Sequence, residues 1–298
     1  MIAKNKRVVA GLNVADMELC EWIDPLSFGG AAVFTKAVNR FVELAKSDPA
    51  WYGYANKYGL ANILAVLCWS VVNVEIPYRY DTDAFKRADF WLLPSETYST
   101  FKAGDCEDVS FLTASALENV LRLTGIRDRE RYFCVLGYYY DGNYYWGHAY
   151  ILWKNPYLAR RLKPAEDHST KYYVFETTWD TEVSPFVWYN WHYERYIPAV
   201  IFNRSYCSTL LSPEAQMTLG VSPSYVERHR EAIQNMIDYV TTGVKLKESW
   251  RHKTQERMVP RVEGVKVKPE KPSRISKALG RRKVNKLLKK VREGAKGG

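Results

Sequence analysis

Residues 103–108, Ala-Gly-Asp-Cys-Glu-Asp, place a cysteine at the start of a predicted helix and constrain the fold more than any other stretch. Apolar residues follow at helical spacing, at Val109, Leu112, Ala116, Val120 and Leu123, before Gly125. Asp105 and Asp108 have the three-residue separation of a capping box, which predicts that Cys106 lies in the first helical turn. The helix N-terminus favours a thiolate, whereas the neighbouring carboxylates oppose it. We therefore expect a cationic group near Cys106, most simply an imidazolium.

A histidine and a carboxylate follow on two predicted strands. Residues 132–153 are two aromatic, β-branched segments around an Asp-Gly-Asn turn, which predicts a β-hairpin with His148 in its second strand. Glu176 ends a third predicted strand at 172–176, in an otherwise apolar row. A base can take the thiol proton and an acid can orient the imidazole. Cys106, His148 and Glu176 therefore predict a catalytic triad for nucleophilic chemistry.

Three motifs in this order resemble the transglutaminase-like superfamily. They are Gly104-Asp105-Cys106-Glu107-Asp108, Gly147-His148-Ala149-Tyr150 and Phe175-Glu176-Thr177-Thr178. With the stretch that leads into the cysteine, the resemblance covers about residues 55–180. The third triad position in this superfamily is usually aspartate, and the longer Glu176 is expected to reach the Nδ1–H of His148. The resemblance implies an α+β fold with a transglutaminase-like (papain-like) core, in which the nucleophile helix packs on an antiparallel sheet and extra helices lie at both ends.

The resemblance also implies the chemistry. Members transfer acyl groups through a thioester, and microbial relatives more often hydrolyse it, so the expected activity is that of a cysteine peptidase or amidase acting on a protein or peptide amide. Transfer to a lysine amine, a protein-glutamine γ-glutamyltransferase reaction, is the alternative. The indole N–H of Trp91 or Trp69 could stabilise the oxyanion, although a buried core tryptophan is the simpler interpretation of each. Some bacterial relatives bind calcium through acids beside the nucleophile, which matches Asp105 and Glu107, but N-capping already accounts for Asp105. No other cofactor is expected.

The remaining chain divides by pattern into segments around this core. We expect an N-terminal helical wrap over 1–54, the catalytic core over 55–205, a helical extension over 206–243 and a basic, partly disordered tail over 244–298. A mostly apolar helix over 58–74 is expected to be buried. One helix is expected over 222–240, with His229 on its charged, solvated face.

The charge of the chain is divided between the body and the tail. Residues 244–298 contain 19 Lys and Arg residues against 5 Asp and Glu residues, a net charge of +14, whereas residues 1–243 have a net charge of −4. Within the tail, 276–292 combines an apolar face with many cations. This pattern is typical of a segment that binds nucleic acid or another anionic surface. A solvated tail without a specific partner is the alternative.

Several classes of function have no support in the sequence. The five cysteines form no CxxC pair, and there is no phosphate-binding glycine motif or zinc-type cluster of Cys and His residues. No window of 18 apolar residues and no secretion signal are visible, which predicts a cytoplasmic protein without a transmembrane segment. Two alternatives to the enzyme remain: Cys106 is an ordinary core thiol, or the chain is a non-catalytic structural or nucleic-acid-associated protein, such as a virion component.

Overall fold

The structure is a computed structural model, and it describes residues 1–9, 12–86, 89–159, 168–178, 182–243, 264–266 and 271–294. In chain order the strands are β1 (Ile2–Val9), β2 (Leu12–Glu18), β3 (Tyr132–Tyr140), β4 (Tyr145–Lys154), β5 (His168–Phe175), β6 (Val187–His192), β7 (Tyr196–Asn203), β8 (Tyr206–Thr209) and β9 (Gly264–Lys266). The α-helices are α1 (Phe28–Ser47), α2 (Ala50–Tyr54), α3 (Leu60–Glu75), α4 (Asp81–Phe85), α5 (Cys106–Thr124), α6 (Pro156–Ala159), α7 (Pro213–Leu219), α8 (Pro223–Arg228), α9 (Arg230–Thr242) and α10 (Arg274–Gly294). A 3₁₀ turn spans Leu19–Trp22, and π-turns span Ala55–Gly59 and Glu96–Thr100.

The fold is α+β, as predicted, with a helical N-terminal region packed against an antiparallel sheet. Strands run in the order β8-β7-β3-β4-β5-β6, and the short β9 extends the β6 edge. The hairpin of β3 and β4 is central, and its register pairs Gly137 with His148. Helix α5 packs against α1, α3 and β4, so the helix that carries Cys106 lies between the helical layer and the sheet.

The cysteine-bearing helix begins and ends as its sequence predicts. Asp105 and Asp108 form a reciprocal capping box at its start, and Gly125 ends it in the left-handed region with φ 70°. Gly104 is needed because an added Cβ would lie 2.6 Å from the Cβ of Asp108. The buried Asp108 carboxylate also accepts the N–H of Leu92 at 2.7 Å. One aspartate therefore fixes both the helix start and the loop beside it.

The apolar helix predicted over 58–74 is α3, and it lies in the core. Ala50–Glu75, a stretch of 26 residues, is apolar enough to cross a bilayer by length and composition, but 72% of its most apolar window is buried inside the protein. Trp69 stacks on Phe175 of the sheet with ring centroids 4.7 Å apart. Aromatic packing thus joins the helical layer to the strand that precedes Glu176.

Two expectations about the chain ends are wrong. β1 and β2 pair as antiparallel strands and are not part of a helical wrap; charged residues interrupt the apolar pattern there, so no period was visible in the sequence. The helix expected over 222–240 is two helices, α8 and α9, which break at His229 with φ −106° and ψ 10°. The described part of the tail contains β9 and the 21-residue α10, and α10 includes the amphipathic segment expected over 276–292. The disorder predicted for the rest of 244–298 concerns segments outside the described residues.

Candidate active site

The three predicted triad residues come from three adjacent elements. Cys106 is the first residue of α5, His148 lies within β4, and Glu176 directly follows β5. Their exposed fractions are 6%, 7% and 1%. Cys106 and His148 line the same small cavity of about 20 Å³, close to the volume that one water molecule needs. The sequence motifs therefore meet in space.

His148 and Glu176 form a buried pair. The imidazole Nε2 lies 3.1 Å from each carboxylate oxygen of Glu176. The expectation that Glu176 would reach Nδ1 is wrong, because the ring presents its other nitrogen to the carboxylate. With Nε2 engaged, Nδ1 is the nitrogen left to exchange a proton with a reacting group.

The Glu176 carboxylate is held in place by further donors. Oε1 accepts the N–H of Thr178 at 3.1 Å and its hydroxyl at 2.8 Å, and Oε2 accepts the hydroxyl of Tyr196 at 2.9 Å. Burial raises the pKa of Glu176, but the charge and hydrogen bond of His148, with the bonds from Thr178 and Tyr196, outweigh burial and hold that pKa below its usual value. A carboxylate that stays ionised can stabilise an imidazolium.

The Cys106 thiol has a different partner from the one expected. It donates to Oε2 of Glu107 at 3.1 Å and accepts the backbone N–H of Ala149, and no hydrogen bond joins it to His148 within the described part of the chain. Burial, then the charges of Glu107 and Asp105, raise the pKa of Cys106 well above its usual value. The environment of Cys106 in this structure therefore favours the neutral thiol over the thiolate.

Three buried carboxylates beside the thiol could hold a cation. Asp81, Asp105 and Glu107 each offer an oxygen, and the three oxygens lie within 4.8 Å of one another. Burial and the charges of neighbouring carboxylates raise the pKa of Asp105, and burial raises that of Glu107 to about 7. Oδ1 of Asp105 is buried and has no hydrogen-bond partner among the residues that the structure describes. An all-oxygen, anionic donor set with one unpartnered atom fits a hard divalent cation such as calcium.

Neither tryptophan directs its indole N–H at the cysteine. The Trp69 indole donates to the backbone carbonyl of Glu176 at 2.6 Å, and the Trp91 indole donates to Oδ1 of Asp89 at 2.7 Å. Trp91 does line the cavity beside Cys106. Each indole is therefore a positioning group here, and the expected oxyanion role would need a different rotamer or the backbone N–H groups at the start of α5.

Residues that the sequence did not single out cover the site. Met236, Tyr239 and Val240 of α9 line the cavity opposite Cys106. Lys6 of β1, only 2% exposed, pairs with Oδ2 of Asp89 at 2.6 Å and lies 3.3 Å from the ring centroid of Tyr239. The spacing of apolar residues in α9 indicated a buried face, but nothing local indicated what that face covers.

Comparison of the chain with protein-family models and with curated protein sequences finds no match. The superfamily resemblance therefore depends on the motifs and on the site described above.

Proposed function

We propose that this protein is a thiol-dependent acyl-transfer enzyme of the transglutaminase-like kind, and that it hydrolyses an amide of a protein or peptide. The observation that carries the proposal is that His148, which lines the same cavity as Cys106, is hydrogen-bonded to the buried carboxylate of Glu176. If Cys106 were only a packed core thiol, an oriented imidazole beside it would be unexpected, because apolar packing does not require a buried charge pair. Perturbed ionisable groups with a specific partner in one cavity are typical of active sites.

The reaction requires the thiol to change partner. Rotation of Sγ away from Glu107 brings it towards Nδ1 of His148, which takes the proton, and Glu176 stabilises the resulting imidazolium. The thiolate adds to the amide carbonyl, and the amine leaves with the proton from His148. Water, deprotonated by the same imidazole, then attacks the thioester, releases the acid and returns the proton to sulfur.

A bound cation would assist this change. Calcium held by Asp81, Asp105 and Glu107 would supply positive charge next to the sulfur. Because Glu107 is also the partner of the thiol, a cation on that carboxylate would weaken its hold on the proton and favour the thiolate.

A peptide library tests the reaction and its acceptor together. The wild-type chain is incubated with proteome-derived peptides in ¹⁸O water containing a fluorescent primary amine, and products are identified by mass spectrometry. Hydrolysis adds ¹⁸O to a new carboxylate, whereas transglutamination adds the amine to glutamine. We expect the ¹⁸O-labelled carboxylate. Cys106→Ala should abolish it, and Glu176→Gln should reduce it about 10³- to 10⁴-fold, as when a catalytic imidazole loses its orienting carboxylate. Equal product from Cys106→Ala would refute the proposal.

A second measurement covers the case in which the library lacks a substrate. Alkylation of Cys106 by iodoacetamide is followed by peptide mass spectrometry in wild type and in His148→Gln. If His148 accepts the thiol proton, the variant reacts more slowly at neutral pH and equally fast at high pH, where hydroxide removes the proton. Identical pH profiles would show that the two side chains do not cooperate.

A second candidate function, binding to nucleic acid, is favoured by the packing of α10 on the body and by the cations that this leaves exposed. One stretch of α10 packs closely on the body: Val284 is 2% exposed, and an added Cβ on Gly280 would lie within 2 Å of the carbonyl oxygen of Tyr52, whereas Ile275 and Leu279 are exposed. The outward side carries exposed cations, at Arg274, Arg281, Arg282, Lys283, Lys286 and Lys289. Because cations dominate the exposed side of α10, contact with a phosphate backbone is favoured.

Fluorescence anisotropy with a labelled DNA duplex tests this function at several salt concentrations. A triple variant changes Arg281, Arg282 and Lys286 to Gln, and a control triple variant changes the exposed Lys4, Lys46 and Lys102 to Gln. The slope of log affinity against log salt should fall by about 0.9 for each phosphate that the first variant no longer neutralises, and the control should keep the wild-type slope. Equal slopes in the two variants would exclude α10 as the DNA-binding surface.

A further inference from the structure

A second, larger cavity lies away from Cys106, between α10 and the body. Its volume is about 270 Å³, near the lower end of the range of small-ligand sites. The π-turn at Ala55–Gly59 forms one wall, and α10 forms another. Widened helical turns of this kind recur at functional sites. Its position makes it independent of the proposed acyl transfer.

A buried arginine lines this cavity, and no carboxylate pairs with it in the described part of the chain. Arg131 is 7% exposed, and its Nε has no hydrogen-bond partner among the same residues. One Nη donates to Oδ1 of Asn62 at 2.6 Å, and the guanidinium lies 5.0 Å from the ring centroid of Trp153. The charge of Asp128 acts on it from a distance, but the Asp128 carboxylate forms its ion pair with Lys154 at 3.1 Å.

Such an arginine is an unusual group to find buried. Charged side chains in protein interiors are normally paired, because removing them from water is unfavourable. Burial lowers the pKa of Arg131 to about 10, because the charged guanidinium loses its contact with water. An anion placed in the cavity would supply the missing partner.

The rest of the lining suits an anion with an apolar body. Lys283 of α10 adds a second cation, whose Nζ donates to Oδ1 of Asn56 at 3.0 Å. Leu60 and Val284 contribute apolar surface, and no Asp or Glu lines the cavity among the described residues. A mostly apolar site with a few convergent polar groups is the usual form of a small-molecule pocket.

We propose that this cavity binds a small organic anion, with its carboxylate or phosphate head group on Arg131 and Lys283 and its apolar body against Leu60 and Val284. The ligand would contact both the body and α10. Binding would therefore stabilise the docked position of the basic helix, since a ligand stabilises the state that provides its site.

Titration calorimetry on the full chain tests the site with matched probes. Benzoate and phenyl phosphate carry the two kinds of head group on the same ring, and benzyl alcohol is the neutral control. We expect at least one anion to bind and the alcohol not to bind. Arg131→Met should weaken binding about 10- to 100-fold, as expected for loss of a charged hydrogen bond. Whichever anion binds more tightly identifies the head group.

Two further measurements keep the test independent of folding defects in the arginine variant. Lys283→Gln changes an exposed residue and should also weaken binding, whereas Lys46→Gln should not. In ¹⁵N-arginine-labelled protein, the Nε–H resonance of Arg131 should move downfield on addition of the anion, because that N–H gains an acceptor. Absence of binding at millimolar anion, or equal binding of benzyl alcohol, would overturn the proposal.

Discussion

Replacement of Val240 by Ala should expose Cys106 to solvent reagents without unfolding the protein. Val240 is completely buried in α9, and it lines the cavity next to the thiol. Because Cys106 is itself 6% exposed, a reagent reaches it only when this cover opens. The rate of alkylation then reports the fraction of molecules in which α9 is displaced.

The size of the effect follows from the groups removed. Val→Ala deletes the equivalent of two methylene groups, each worth about 0.8 kcal/mol when buried, and the remaining cavity brings the loss to about 2 kcal/mol. If α9 loses this packing when it opens, the substitution lowers the free energy of opening by the same amount, and the open fraction rises accordingly. Since about 1.4 kcal/mol corresponds to a factor of ten, Cys106 should be alkylated about 30-fold faster.

The chain offers a matched control for this measurement. Val33 in α1 is also completely buried, but it does not line the cavity at Cys106. Val33→Ala should therefore lower global stability by a similar amount and leave the Cys106 rate nearly unchanged. Cys68 and Cys134, both fully buried in the core, report global unfolding in the same peptide map.

Two outcomes would refute the reasoning. If Val33→Ala accelerates Cys106 as much as Val240→Ala does, the thiol is reached by global unfolding and α9 is not a separate cover. If wild-type Cys106 reacts as fast as the thiol of an unfolded peptide, the site is open in solution. In both cases the packing of Met236, Tyr239 and Val240 would not control access.

Three other predictions concern the cation site, a second thiol and the sheet. After bound metal has been removed with a chelator, added calcium should raise the melting temperature of the wild type, measured by calorimetry. It should not raise that of Asp105→Asn, because the substitution removes a ligand charge. Cys20, whose pKa is lowered to about 7 by a hydrogen bond from Cys207, should be alkylated before Cys106 at pH 8 and more slowly at that pH in Cys207→Ala, which removes the donor. Tyr196→Phe should destabilise the protein by about 1–3 kcal/mol in urea unfolding, because Oε2 of Glu176 loses a buried donor.

The local structure around Cys106 was predictable from the sequence. The capping box of Asp105 and Asp108 depends on residues three positions apart, and Gly125 marks the helix end by its own backbone preference. The hairpin that carries His148 follows from its Asp-Gly-Asn turn and from the aromatic and β-branched residues on either side. These features need only short-range information, so they could be stated without a structure.

The partners of the ionisable groups were not predictable in the same way. Cys106 bonds to Glu107 instead of His148, and this depends on a rotamer that sequence spacing does not fix. His229 was expected on the surface because charged residues flank it, but it is 4% exposed and its Nδ1 lies 3.1 Å from the hydroxyl of Tyr145. The break between α8 and α9 turns it inward, and tertiary packing determines that break.

The contact between Lys6 and Tyr239 has a consequence for the order in which the protein is made. These residues lie near opposite ends of the body in sequence, in β1 and α9, and the cavity at Cys106 is complete only when Met236, Tyr239 and Val240 of α9 are in place. A chain still on the ribosome has β1 long before α9 has emerged. The thiol is therefore open to oxidants and to neighbouring proteins from its own emergence until α9 emerges, and a chain that ends before α9 keeps that exposure permanently.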